Sequence, residues 1–403
     1  MTEAGWVQHA VWWQVYPLGF AGAYPAQEQP GGGLRRLIGW LDYAIELGAS
    51  GLLLGPVFAS ESHGYDTVDH YRIDPRLGDD ADFDALVAAA RARGLRVVLD
   101  GVFNHVGRGH AALTRENWVR RDGDRLATFE GHDALVALNH DEPAVADFVA
   151  DVMAHWLRRG VDGWRMDAAY AVPAEFWARV LPRVRAEFPE MWAFGEVIHG
   201  DYADFVQRST LDSVTQYELW KAVWSALNDG NFFELSWALE RHNGFLDTFV
   251  PQTFVGNHDV TRIASKLAEE RHVPLALALL LTIGGTPSIW SGDEQGFRGF
   301  KQERAGGDDA IRPAFPDSPA GLAPYGASLH RLHQELIGLR RRNPWLHSAR
   351  TRTVHLANEQ FVYEAFAGDN RLVVALNASA EPVTVPGPGD TKIELPGYGW
   401  TVS

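Results

Sequence analysis

Not one of the 403 residues is a cysteine. Disulfide staples, thiolate metal sites and a thiol nucleophile are therefore excluded, and a reducing compartment is compatible with the chain. Positive charge is also sparse: 36 Lys and Arg stand against 52 Asp and Glu, a formal charge of −16, and the longest basic run is Arg340, Arg341 and Arg342. Phosphate backbones and anionic membranes are poor partners for such a surface, and a neutral ligand suits it better. Long apolar runs are missing too. The most apolar stretch, Val273 to Ile283, falls well short of the ~20 residues that span a bilayer. The opening "MTEAGWVQHAVWWQVYPLGF" has no basic region leading into an apolar one of the secretory kind, so the expected location is the cytoplasm. Neither G-x-S-x-G nor H-E-x-x-H occurs, which sets aside serine hydrolases and zinc proteases, and "GGGL" at 31–34 lacks the lysine of a phosphate loop.

What is present is ample core material, 46% hydrophobic residues, enough for one large domain and one or two small ones. Short apolar or β-branched runs alternate with amphipathic segments. The expected strands are "VWWQVYPL", "GLLLGPV", "RVVLDGVF", "GWRMDA", "WAFGEVI", "SVTQYEL", "TFVGNHD" and "PSIWSGDE", eight in all. Helical patterns such as "DFDALVAAARARG" and "AVADFVADVMAHWLRRG" lie between them, each ended by glycine. Eight strand-helix units favour an α/β fold of the (β/α)8 TIM-barrel type over an open doubly wound sheet. The barrel is expected over 1–349, with a polar excursion at 106–140 after the third strand. A small antiparallel, sandwich-like β domain is expected at 350–403, where short strands alternate with Gly, Pro, Asn and Asp.

In a barrel, side chains at the C-terminal strand ends share one mouth. Read together, those ends carry His63, Tyr65 and Asp66 after strand two, Asn104 and His105 after three, Arg165 and Asp167 on four and Glu196 on five. His258 and Asp259 follow strand seven, and Asp308 and Arg312 lie in the loop after strand eight. Three acids from separate strands are costly as mere fold maintenance, since each needs its own buried partner. Paired carboxyl groups flanking a glycosidic bond are the apparatus of retaining glycoside cleavage. Arg165 beside Asp167 favours an ionised nucleophile, while Glu196 is the proton donor.

"DGVFNH", "GWRMDAAY", "FGEV" and "FVGNHD", in that order, resemble the signature regions of the α-amylase superfamily of retaining α-glucosidases and transglucosidases. "HGYDTVDHYRIDP", "LNHDEP", "GGTPSIWSGDE" and "GGDDAIRPAF" extend the likeness over about residues 11 to 345. The resemblance implies Asp167 as nucleophile, Glu196 as general acid/base and Asp259 as the acid that stabilises the transition state. It implies that Arg165 positions Asp167, that His105 and His258 bond sugar hydroxyls, and that Tyr65 stacks beneath the sugar. His63 and Asp66 would line the same pocket, and Asp308 and Arg312 would contact that pocket or the next sugar out.

Two departures matter. Endo-acting amylases commonly carry Lys-His where this chain has Tyr170 and Ala171, which argues against long-starch cleavage and against the calcium that many relatives ligate at the position of Asn104. No cofactor and no metal ligand is expected. "GYD" in place of "GYW", with Asp66 able to pair with an arginine, resembles exo-acting enzymes with a closed pocket. The expected substrate is a short α-glucoside or malto-oligosaccharide. The alternatives on the same barrel are an endo-amylase, a sucrose-type transferase or a phosphorylase, and more remotely a non-catalytic sugar- or partner-binding barrel. Trp164, Trp192 and Trp290 are candidate sugar platforms, although apolar surroundings assign most tryptophans to the core. His330 and His333, one helical turn apart, are expected on a solvated face. No oligomeric state follows from the sequence.

Overall fold

A computed structural model describes residues 3–24, 32–304, 306–389 and 391–403; the "GGGL" turn begins at Gly31, outside them. The barrel strands are β1 (Trp12–Val15), β2 (Gly51–Leu54), β3 (Arg96–Gly101), β4 (Gly163–Met166), β5 (Trp192–Gly195), β6 (Ser213–Val214), β7 (Gln252–Thr253) and β8 (Thr286–Trp290). They form one parallel sheet in the order β6-β5-β4-β3-β2-β1-β8-β7. The two ends of that sheet meet: Thr215 bridges Gln252 in parallel, and Gln216 N donates to Gln252 O at 2.9 Å. The result is the expected barrel.

Period-two alternation explains the paired tryptophans of β1. Trp12 points inward and forms a plug with Leu53, Val98, Trp192 and Phe194 below the mouth. Its ring lies nearly parallel to that of Trp192, centroids 5.5 Å apart. Trp13 points outward against Phe20, Trp40 and Tyr43. Glycine is required where the strands approach most closely: a Cβ on Gly163 would sit 2.2 Å from Trp192 O, and one on Gly51 would sit 2.4 Å from Arg96 O. Trp164, Trp192 and Trp290 are all buried in this core.

Two expected strands are much shorter than their apolar runs. β6 stops at Val214 because Gln216 caps a helix, its Oε1 accepting from Leu219 N at 3.2 Å, and Tyr217–Asp229 is helical. β7 stops at Thr253, and Asn257 Oδ1 then accepts from Asp259 N at 2.8 Å in an Asx turn. Both interruptions turn polar residues toward the mouth. The segment after β3 folds into short pieces, including Phe129–Gly131, before the helix Pro143–Arg158 returns to the barrel wall. Beyond the helix Ala327–Arg342, the strands Arg350–Leu356, Gln360–Ala367, Asn370–Asn377 and Trp400–Val402 make an antiparallel sheet. The hairpin of Val383–Pro386 with Lys392–Leu395 packs on it through Val362, Ala375, Val385 and Leu395. No helix among the described residues is long and apolar enough to cross a membrane.

The solvated face expected for His330 and His333 is corrected: both are buried. His330 stacks on Tyr43 at 5.0 Å and His333 Nδ1 lies 2.9 Å from Leu329 O, so the first ring serves as aromatic core surface and the second has one polar edge satisfied. Other histidines are sealed in the same way. His70 Nε2 donates to Val102 O at 2.9 Å, leaving Nδ1 to accept from His110 Nε2 at 3.2 Å, while His110 Nδ1 accepts from Ala112 N at 3.0 Å. This chain of bonds needs both rings neutral. Burial holds His70, His140 and His242 at about 4 and His110 at about 3. An unfolded histidine gains its proton near pH ~6.5, so from there down to about 4 the unfolded state binds more protons and stability falls with falling pH, by roughly 1.4 kcal/mol per unit for each ring. Asp293 and Glu294, raised by burial to about 6 and about 7, and the raised Asp100, Asp167 and Asp212 work in the opposite sense, but the histidines lowered by burial, which include His105 and His333 at about 4, outnumber them. Calorimetry should give a clearly lower Tm at pH 5 than at pH 7.5, and equal values would refute the dominance of the buried rings over the raised acids.

Candidate active site

Strand register assembles the centre of the mouth. β4 pairs Arg165 with Asp100 of β3, and Met166 with Gly195 of β5, so Asp167 and Glu196 leave adjacent strands side by side. Arg165 is buried. Its Nη1 lies 2.7 Å from both oxygens of Asp100 and 3.3 Å from Asp167 Oδ1. Its Nη2 lies 3.0 Å from Glu196 Oε1 and 3.9 Å from Asp259 Oδ2. One guanidinium thus serves four carboxyl groups, and its tightest partner is Asp100, not Asp167.

Glu196 is held from three sides. Besides Arg165, Tyr217 Oη donates to Oε1 at 3.1 Å and Ala168 N donates to Oε2 at 3.0 Å. Tyr217 is itself fixed by Asn257 Nδ2 at 3.0 Å. Ala168 makes its bond from the left-handed region, φ 45° and ψ 38°, which an alanine seldom adopts. That strained residue directly follows Asp167 and ties its strand end to Glu196, the kind of place where backbone strain is found.

Asp259 has its own partners: His258 Nε2 is 2.8 Å from Oδ2 and Arg312 Nη2 is 2.8 Å from Oδ1. Arg312 also reaches Asp308 at 3.0 Å and His258 O at 2.7 Å. Gln14 Nε2 lies 3.1 Å from His258 Nδ1, which orients that ring from β1. Tyr65 lies parallel to His258 with centroids 5.5 Å apart, and its hydroxyl donates to Asp100 Oδ2 at 3.2 Å. His105 and His63 join through the backbone of Tyr65, at 2.9 Å to its carbonyl oxygen and 3.2 Å to its amide nitrogen respectively. Asp66 departs from its expected arginine partner. Its Oδ2 accepts from Ser62 Oγ at 2.5 Å, while Oδ1 is buried without a partner.

These surroundings push the acids apart. Asp167 is raised well above the usual carboxylate range, by burial first and then by repulsion from Glu196, Asp100 and Asp259, which together outweigh Arg165. Asp100 is raised for the same leading reason, burial. Asp259 moves the other way, because His258, Arg312 and Arg165 overcome its burial. Burial lowers His105 to about 4 and lowers His63. The surroundings thus favour the protonated form of Asp100 and Asp167 and the ionised form of Asp259.

The alpha amylase catalytic domain model matches residues 14–125 and 126–317. The chain belongs to the α-amylase family. It is a glycosidase of that family, with the barrel that the family's solved members share. A cyclic α-maltosyl-(1→6)-maltose hydrolase from Arthrobacter globiformis, solved with that cyclic sugar, is similar over 100% of this chain and 99% of its own, at TM-score 0.88 and 26% identity. A cyclomaltodextrinase from Geobacillus thermopakistaniensis is 29% identical over an alignment of 436 residues, covering 96% of this chain and 72% of that one. A 4-alpha-glucanotransferase from Thermotoga neapolitana is 33% identical over 312 residues, 67% of this chain and 68% of that one.

Family membership raises the question of calcium at Asn104. There Asn104 Nδ2 is directed at His105 Nδ1 at 3.1 Å and its backbone carbonyl accepts from Leu138 N at 3.0 Å, and no group of three or more His, Asp and Glu able to hold a metal occurs among the described residues. Sequence reasoning missed Asp100, Gln14, Tyr217 and Asn257. Asp100 had a signal, a lone acid inside the apolar run of β3. Gln14 is similarly a lone amide inside β1. Tyr217 had none, because a tyrosine beside the apolar "LWKAVW" reads as core.

Proposed function

We propose that this α-amylase-family enzyme cleaves short α-glucosides or malto-oligosaccharides with retention, by double displacement through a glycosyl-enzyme. The observation that carries this reading is Arg165, which holds Asp167 and Glu196 on its two terminal nitrogens and so aims both at one bond. For cleavage Asp167 must be the anion and Glu196 the acid, so the proton stands on Glu196 when the bond breaks. Asp167 then attacks the anomeric carbon while Glu196 protonates the departing oxygen. Positive charge developing on the ring meets Asp259, already ionised, and the surplus of carboxylates over cations. Water, activated by Glu196 acting as base, cleaves the ester and restores the acid.

A sugar hydroxyl can replace water in the second step, and the glucanotransferase among the relatives favours that second reading. The relatives named for cyclic maltodextrins and maltosyl-maltose rings support α-linked glucose as substrate. The cysteine-free chain and its surface charge suit the cytoplasm, with no nucleic-acid or membrane partner. NMR of the first products from maltotriose should show the α anomer, whereas β product excludes double displacement. Repeating the incubation with phosphate, and then with added glucose, separates hydrolysis from phosphorolysis and transfer.

A further inference from the structure

The excursion after β3 returns over the mouth at Phe129 and Glu130. The Phe129 ring stacks on His105 with centroids 4.8 Å apart and an interplanar angle of 14°. Glu130 Oε1 accepts a 2.7 Å hydrogen bond from Tyr170 Oη. Tyr170 belongs to the barrel: its amide donates to Glu196 O at 3.2 Å, and its ring borders Phe129 at 6.5 Å and His199 at 5.9 Å. A continuous bridge therefore runs from His105, across the excursion tip, to the strand end that carries Glu196. Glu130 holds its place in the left-handed region, φ 49° and ψ 28°, although it is exposed and no core packing demands that conformation.

We propose that the Glu130–Tyr170 pair is a strap that sets substrate length. It roofs the side of the cleft where Glu196 stands, so the chain beyond the cleaved bond must be short or sharply curved, and an extended α-glucan cannot cross. The inference rests on the reading of Glu196 as the group facing the departing sugar. It concerns a contact that no strand or helix pattern requires.

Two variants remove the contact with little else. Tyr170→Phe keeps the ring and loses the donor. Glu130→Gly loses the carboxylate and adopts the positive φ without strain. In each, kcat/KM for long linear amylose relative to maltotriose should rise roughly fivefold, the equivalent of one lost hydrogen bond, mainly through KM for amylose. A merely structural role would lower both substrates and Tm together. An unchanged ratio in both variants overturns the strap. If the wild type cleaves neither glucan, the proposed reaction fails and the strap is judged from binding alone. Calorimetric titration of the two glucans into each variant and the wild type, all in the Asp167→Asn background, should show the same relative gain for amylose, and equal relative affinities overturn the strap.

Discussion

Asp167→Asn is expected to lower kcat by about 10⁴-fold or more on maltotriose while leaving the protein folded. The amide is nearly isosteric with the carboxyl group but cannot form the ester, so the loss falls on chemistry and not on binding. The same substitution tests the electrostatic picture through a second measurement. Asp167 is forced upward by burial and by three neighbouring acids, so its protonated form is the comfortable one in the folded state. Asparagine mimics that form. The folded-state affinity for this proton exceeds that of the unfolded chain, so at pH 7 to 8 the native carboxyl costs stability that the amide does not. Calorimetry at pH 8 should find the Tm of the variant equal to or above that of the wild type. Near-normal turnover sinks the role of Asp167, and a sharp fall in Tm sinks the crowding of the acids.

Arg165→Gln should be the most damaging single change for stability in this site. It leaves Asp100, Asp167, Glu196 and Asp259 without their shared cation. Removing one partner from a buried ion cluster costs about 3–5 kcal/mol. The sign of its pH dependence follows from the same argument. Without Arg165 the remaining acids are pushed up further, the folded state holds protons that the unfolded state has released, and stability drops as pH rises through that range. Urea unfolding at pH 5 and pH 8, each referred to wild type at the same pH, should show the larger deficit at pH 8. The comparison removes the acid sensitivity of the buried histidines, which both proteins share. Equal stability of variant and wild type at pH 8 would place the charge compensation elsewhere, and retained activity would remove Arg165 from the reaction.

Legibility in the sequence followed local periodicity. The runs "VWWQV", "GLLL" and "RVVLDG" read as strands because a barrel strand is buried on both faces, and all three are strands. "SVTQYEL" misread as one long strand because Gln216 is a helix cap there, and a cap looks like any other polar residue inside an apolar run. His330 and His333 misread because an imidazole packs like an aromatic ring, His330 by stacking on Tyr43 and His333 with a single carbonyl to satisfy it. The strand-end acids were legible as a set, since charge at the end of an apolar run is costly and so informative. Their partners were not: Gln14 and His258 are 244 residues apart, and nothing local links them.

The order of apolar runs, caps and strand-end acids determined by itself that the chain is a barrel and that its mouth is acidic, because hydrophobic period and burial cost act along the chain. How those acids divide their labour was decided only by tertiary structure. Register brought Asp100 to Arg165, the loops after β7 and β8 gave Asp259 His258 and Arg312 as partners, and the excursion tip reached Tyr170. Coulomb interactions depend on distance through space, and that distance exists only once distant segments have closed the ring.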